Sequence, residues 1–124
     1  SVYGTEVFKY SLIPNNLRGN VKKIIGERAE HITYLFGIMI RSHFLSQLGN
    51  NLNKFIMNRF NNLILKISNK EYNDLCHLYV ANRLEQHSRW PENNKYLEYN
   101  SMKKMKYHIN NLAWSDLKKE YKFK

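Results

Sequence analysis

Apolar positions along the chain recur mostly at helical spacing, and the main exception is its start. Val2, Val7, Phe8, Tyr10, Leu12 and Ile13 show no sustained period and end at the turn signal Pro14-Asn15. Residues 1–16 therefore read as an extended arm packed on the body. From Asn20, a suitable N-cap, Val21, Ile24, Ile25, Ile32, Leu35, Phe36, Met39, Leu45 and Leu48 follow at a roughly helical period up to Gly49. Gly26 and Gly37 weaken this helix, since each costs up to about 1 kcal/mol relative to alanine, and either can break it.

Leu52, Phe55, Ile56, Phe60, Leu63, Ile64 and Ile67 fall on i, i+3, i+4, i+7 positions and predict a second helix whose polar face is Lys54, Asn58, Asn61, Asn62 and Lys66. Ser68 and Glu71 then form an S-x-x-E capping box, which starts a third helix with the apolar stripe Tyr72, Leu75, Cys76, Tyr79, Val80 and Leu84. That helix should stop before Trp90-Pro91, because the residue ahead of a proline resists helical dihedrals. After a connector rich in tyrosine and asparagine, Ser101 can cap a fourth helix carrying Met102, Met105, Ile109, Leu112, Ala113 and Leu117. The expectation is an all-α fold: residues 1–124 form a single domain, an irregular bundle of about four helices with the extended N-terminal arm and a basic tail, 118–124.

Charge narrows the class of partner. Twenty Lys+Arg against ten Asp+Glu give a formal +10 and a pI near 9.7, which favours nucleic acid, an anionic membrane surface or an acidic protein. Residues 31–70 carry Arg41, Lys54, Arg59, Lys66 and Lys70 without an acidic side chain, so a positive face is expected there. Seventeen asparagines and fourteen lysines beside three alanines also fit an A/T-rich gene from a low-GC organism or organelle. The single cysteine rules out an internal disulfide and points to an intracellular or organellar setting. The longest mostly apolar run, Ile32 to Ile40, is far shorter than the roughly 20 residues of a helical membrane span. The chain begins at Ser1, which leaves room for a removed leader or a longer parent chain.

No catalytic signature emerges. The five histidines lack i, i+3 or i+4 spacing among themselves, and no C-x-x-C completes a zinc set, so no metal or cofactor is expected. Glu27, Glu30 and His31 lie close together, but a solvated helix face accounts for them. Cys76 falls inside an apolar stripe and reads as core, with His77 turned about 100° away on the helix.

Two binding readings lead, and a third, membrane-surface binding through a basic amphipathic helix, is weaker because the helical stripes are needed to bury one another. In the first, the chain is a non-enzymatic subunit or adaptor docked on a larger protein assembly with an acidic surface, anchored by Trp90, Tyr96 and Tyr99 and steered by Lys103, Lys106, Lys118 and Lys119. In the second, it is an RNA- or DNA-binding module of a ribonucleoprotein that contacts phosphates through Lys54, Asn58, Arg59, Asn62 and Lys66. The interleaving of Lys103, Lys104, Lys106 and Tyr107, and of lysines with Tyr121 and Phe123, suits either partner. Tyr72-Asn73-Asp74, His87, Pro91 and Tyr96-Leu97-Glu98 resemble the small helical peripheral subunit of the respiratory cytochrome bc complex. The spacing after Pro91 is shorter than in that family and the first half of the chain has no counterpart, so no residue role is carried over.

Overall fold

The computed structural model describes residues 29–87 and 98–123. Along these run α1 (Ala29–Ile38), α2 (Arg41–Ser46), β1 (Lys54–Met57), β2 (Ile64–Ile67), α3 (Asn69–His87), α4 (Tyr99–Lys104), a 3-10 turn (Met105–Tyr107) and α5 (Asn111–Tyr121). The fold is helix-rich, and the expected all-α class is wrong: a two-stranded antiparallel sheet stands where the second helix was expected. The extended arm and most of the connector 90–99 lie outside the described residues.

The reason for the sheet lies in the asparagines. Apolar residues at 52–67 fit a helical stripe, but they also fit two short strands separated by Asn58-Arg59-Phe60-Asn61-Asn62. Asparagine favours turns because its side chain bonds the backbone two residues on. Asn58 Oδ1 accepts from the Phe60 amide at 2.8 Å and Asn61 Oδ1 from the Leu63 amide at 2.9 Å, while Asn62 takes a left-handed φ of 62°. The strands pair Lys54 with Ile67, Phe55 with Lys66, Ile56 with Leu65 and Met57 with Ile64.

The outer edge of β1 is occupied. The Gln47 side-chain amide copies a neighbouring strand, donating to the Phe55 carbonyl and accepting from the Phe55 amide, both at 2.8 Å. The Ile40 amide donates to Met57 O at 2.9 Å and the Arg59 amide to Ile38 O at 2.7 Å. These bonds explain why the first long helix breaks after Ile38, next to Gly37: Ile40 is extended so that the chain can bridge the hairpin. The segment ends near Gly49, whose φ of +81° suits glycine.

The capping box forms as the sequence implies, with Ser68 N–H donating to Glu71 Oε1 at 2.8 Å and Glu71 N–H to Ser68 Oγ at 3.0 Å. The backbone bond from Ser68 is the chief reason the Glu71 carboxyl is held below its ordinary pKa, and His31 adds a contact at 2.9 Å. α3 is the centre of the molecule, packing against α1 on one side and α5 on another. Beyond the expected stripe it also buries Leu78, Ala81 and the polar Asp74, Asn82 and Arg83. Phe44 of α2 lies across it, its ring 4.7 Å from Tyr72 and 5.8 Å from Tyr79, with the Tyr72 hydroxyl donating to its carbonyl at 2.7 Å. Cys76 is core, and burial raises its thiol pKa well above the ordinary value.

The fourth helix divides in two. Ser101 lies inside α4 and caps nothing; the cap is Asn110, whose side chain accepts from the Ala113 amide at 2.8 Å and starts α5. The expected tail is in part helix as well, because α5 continues to a buried Tyr121.

Candidate functional site

A cleft of about 560 Å³ opens between α4, the 3-10 turn and the end of α5, lined by Asn100, Lys103, Lys104, Lys106, Tyr107, Trp114 and Phe123. Its chemistry follows from a short stretch of sequence. Met102 and Met105, three residues apart, are fully buried, so the lysines between and after them stay at the surface. Residues 99–107 carry three lysines and no acid.

The floor of the cleft is aromatic. Lys122, with φ 51°, takes the left-handed conformation that a non-glycine residue adopts only at a cost of about 1–2 kcal/mol. Its amide closes the last turn of α5 on the Lys118 carbonyl at 2.8 Å, and the reversal folds Phe123 back. Phe123 stacks on Trp114 with centroids 5.3 Å apart and planes 11° from parallel, and it meets Tyr121 at 5.4 Å and the Tyr99 edge at 5.2 Å. These contacts offset the strain at Lys122. Lys118 Nζ sits 5.9 Å from the Trp114 ring, and Lys106 Nζ 5.5 Å from the Tyr107 ring.

Behind the cleft two histidines fix where α5 begins. His77 Nε2 accepts from the Asn110 amide at 2.9 Å and its Nδ1 faces the Asn73 carbonyl at 2.9 Å. His108 Nε2 accepts from the Gly49 amide at 2.9 Å and its Nδ1 faces Asn73 Oδ1 at 3.0 Å. Both rings are thus neutral, with the proton on Nδ1. Burial pushes both pKa values below the ordinary 6.5, and the nearby Lys54 charge adds to this for His108. A lowered folded pKa means that the unfolded chain binds more protons, so the stabilisation is complete above about pH 6.5 and is lost as pH falls through the folded values. The unfolding free energy from urea denaturation should therefore drop between pH 7.5 and 5.5, by at most about 1.4 kcal/mol per pH unit for each histidine. The His77→Gln/His108→Gln protein should show a flatter profile over the same range.

A second, open cleft of about 640 Å³ shares Lys104 and is lined also by Arg41, Ser42, Ser46, Ser101 and Glu98. Glu98 is committed elsewhere: its carboxylate pairs with the buried Arg83 and accepts from the Tyr79 hydroxyl at 2.8 Å.

The structure brings together part of one expected site and disperses the other. Lys103 and Lys106 line the first cleft, Lys118 overhangs its tryptophan, and Lys119 is exposed on α5. Tyr99 supports the aromatic floor from behind, whereas Trp90 and Tyr96 lie outside the described residues. The expected phosphate-binding face is not a helix face. Lys54 is only 3% exposed, and its ammonium spends all three donors on Asn50 O, Asn50 Oδ1 and Leu52 O at 2.8–2.9 Å, which leaves none for a phosphate. Asn58 and Asn62 build the hairpin turn, Arg59 Nε donates to Gly37 O at 2.8 Å, and Lys66 is exposed on β2. Trp114 and Asn100 were missed as lining residues. The local signals for the cleft were the lysines beside Tyr107 at 103–107 and the lysines interleaved with Tyr121 and Phe123.

Among the described residues no helix is long and apolar enough to cross a membrane. No curated protein and no solved structure matches the chain, so the likeness to the cytochrome bc subunit gains no support. Residues 1–41 match a family described as "Domain of unknown function (DUF6817)", a match over less than half of the chain that includes none of the residues lining the aromatic-floored cleft.

Proposed function

We propose that the chain is a non-enzymatic docking module of a larger assembly, and that its basic, aromatic-floored cleft receives an acidic segment of a protein partner. An apolar side chain of that segment would rest on Trp114 and Phe123 while its carboxylates meet Lys103, Lys104 and Lys106. The carrying observation is the cleft's anatomy, a ring-lined floor under a rim of like charge. Interfaces concentrate affinity in such desolvated aromatic centres and use the charged rim for steering. The test is fluorescence anisotropy with labelled Glu-rich peptides carrying one central Leu or Phe. Lys103→Glu/Lys106→Glu, at exposed positions, should weaken binding by at least about tenfold without altering the circular dichroism. Equal affinity for the variant and the parent protein would overturn the reading.

A single-stranded RNA partner is the second reading, favoured by one observation: the Tyr107 ring is 65% exposed beside Lys106, as a base-stacking platform requires. Oligo(U) binding with a log-log salt slope of about −0.7 per phosphate neutralised, flattened by the same double reversal, would favour it over the peptide.

A further inference from the structure

The hairpin turn carries a surface unrelated to the cleft. Phe60 in the turn and Leu63, Ile64 and Leu65 at its exit into β2 are 48–68% exposed, an unusual concentration of large apolar side chains within six residues. Cations flank them. The Arg59 guanidinium lies 4.5 Å from the Phe60 ring and is fixed by its bond to the Gly37 carbonyl, and Lys66 is exposed on β2. No acidic residue occurs anywhere in 31–70.

Most amides of the turn are already hydrogen-bonded. The amides of Asn58, Arg59, Phe60, Asn62 and Leu63 donate to Leu63 O, Ile38 O, Asn58 Oδ1, Asn58 O and Asn61 Oδ1. These bonds lower the penalty for seating the turn at the headgroup boundary, where its carbonyls and asparagine side chains stay in contact with water.

We infer that the hairpin tip, Phe60 with Leu63, Ile64 and Leu65, is a wedge that seats shallowly in an anionic phospholipid surface, with Arg59 and Lys66 meeting the headgroups. Apolar insertion combined with basic attraction is what reversible membrane-surface binding needs. Charge decides against a second copy of the chain as occupant, because two hairpins would bring Arg59 and Lys66 toward their counterparts with no carboxylate in 31–70 to offset them.

Co-sedimentation with vesicles of phosphatidylserine and phosphatidylcholine, against phosphatidylcholine alone, tests the assignment. The expected result is binding to the anionic vesicles that falls at least about tenfold in Phe60→Ser/Leu63→Ser, substitutions at exposed positions. Binding should be retained in Lys103→Glu/Lys106→Glu, which separates the wedge from the cleft. A Phe60→Trp protein should in addition be quenched by brominated acyl chains more strongly than the parent protein. No binding to anionic vesicles, or binding indifferent to Phe60→Ser/Leu63→Ser, would overturn the inference. So would concentration-dependent self-association abolished by that variant, which would assign the face to a second copy.

Discussion

Glu98→Ala should destabilise the fold by up to about 3–5 kcal/mol in urea denaturation, because it takes a carboxylate partner away from the buried Arg83. Arg83 is nearly inaccessible, pairs with the Glu98 carboxylate, donates to the Tyr79 hydroxyl at 2.9 Å and hydrogen-bonds Tyr121. This cluster ties α3 to the entry of α4 and the end of α5, and it holds Glu98 itself at a left-handed φ of 61°. The substitutions should be asymmetric. Arg83→Met removes the buried charge and leaves a carboxylate that water can reach, so it should cost less than Glu98→Ala. Equal losses, or a loss below about 1 kcal/mol for Glu98→Ala, would show that the pair is not a main tie of the fold.

Phe44→Ala should cost about 3–5 kcal/mol, the range for deleting a large side chain from a packed core. Phe44 is fully buried and in ring contact with both Tyr72 and Tyr79, so its loss opens a cavity at the centre of the molecule. Tyr72 in turn carries the Lys54 ammonium 5.4 Å from its ring, which couples this cavity to the hairpin. Near-UV circular dichroism should lose tyrosine signal along with stability. A loss under about 1.5 kcal/mol would mean that the α2 to α3 contact collapses around the gap without penalty.

What could be read in the sequence was local. The Ser68 and Glu71 capping box, the burial of Cys76 and the stop near Gly49 depend on residues within a turn of one another, and each forms as its chemistry dictates. The stretch 52–67 could not be decided by period alone, since Leu52, Phe55, Ile56 and Phe60 satisfy a helical stripe as well as a strand followed by a turn. The decision falls to Asn58 and Asn61 as turn formers and to Gln47, a residue of the preceding segment that completes the sheet edge. The fourth helix divides for a non-local reason, the acceptor that His77 offers to the Asn110 amide. Lys103 and Lys106 stood out as neighbours of Tyr107. Their floor did not, because Phe123 meets Trp114 only through the left-handed turn at Lys122. Lys54 looked like a surface cation because the oxygens that claim it belong to a loop whose path the sequence pattern does not specify.

The most direct test of the docking cleft is a nitrogen–proton NMR titration of the labelled protein with a Glu-rich peptide carrying one central Phe. The account predicts that the Trp114 indole N–H and the amides of 100–107 and 122–123 shift together and saturably, while those of the hairpin turn at 58–65 stay in place. Shifts that spread over every lysine-bearing surface without saturation, or that leave the Trp114 indole unmoved, would contradict it.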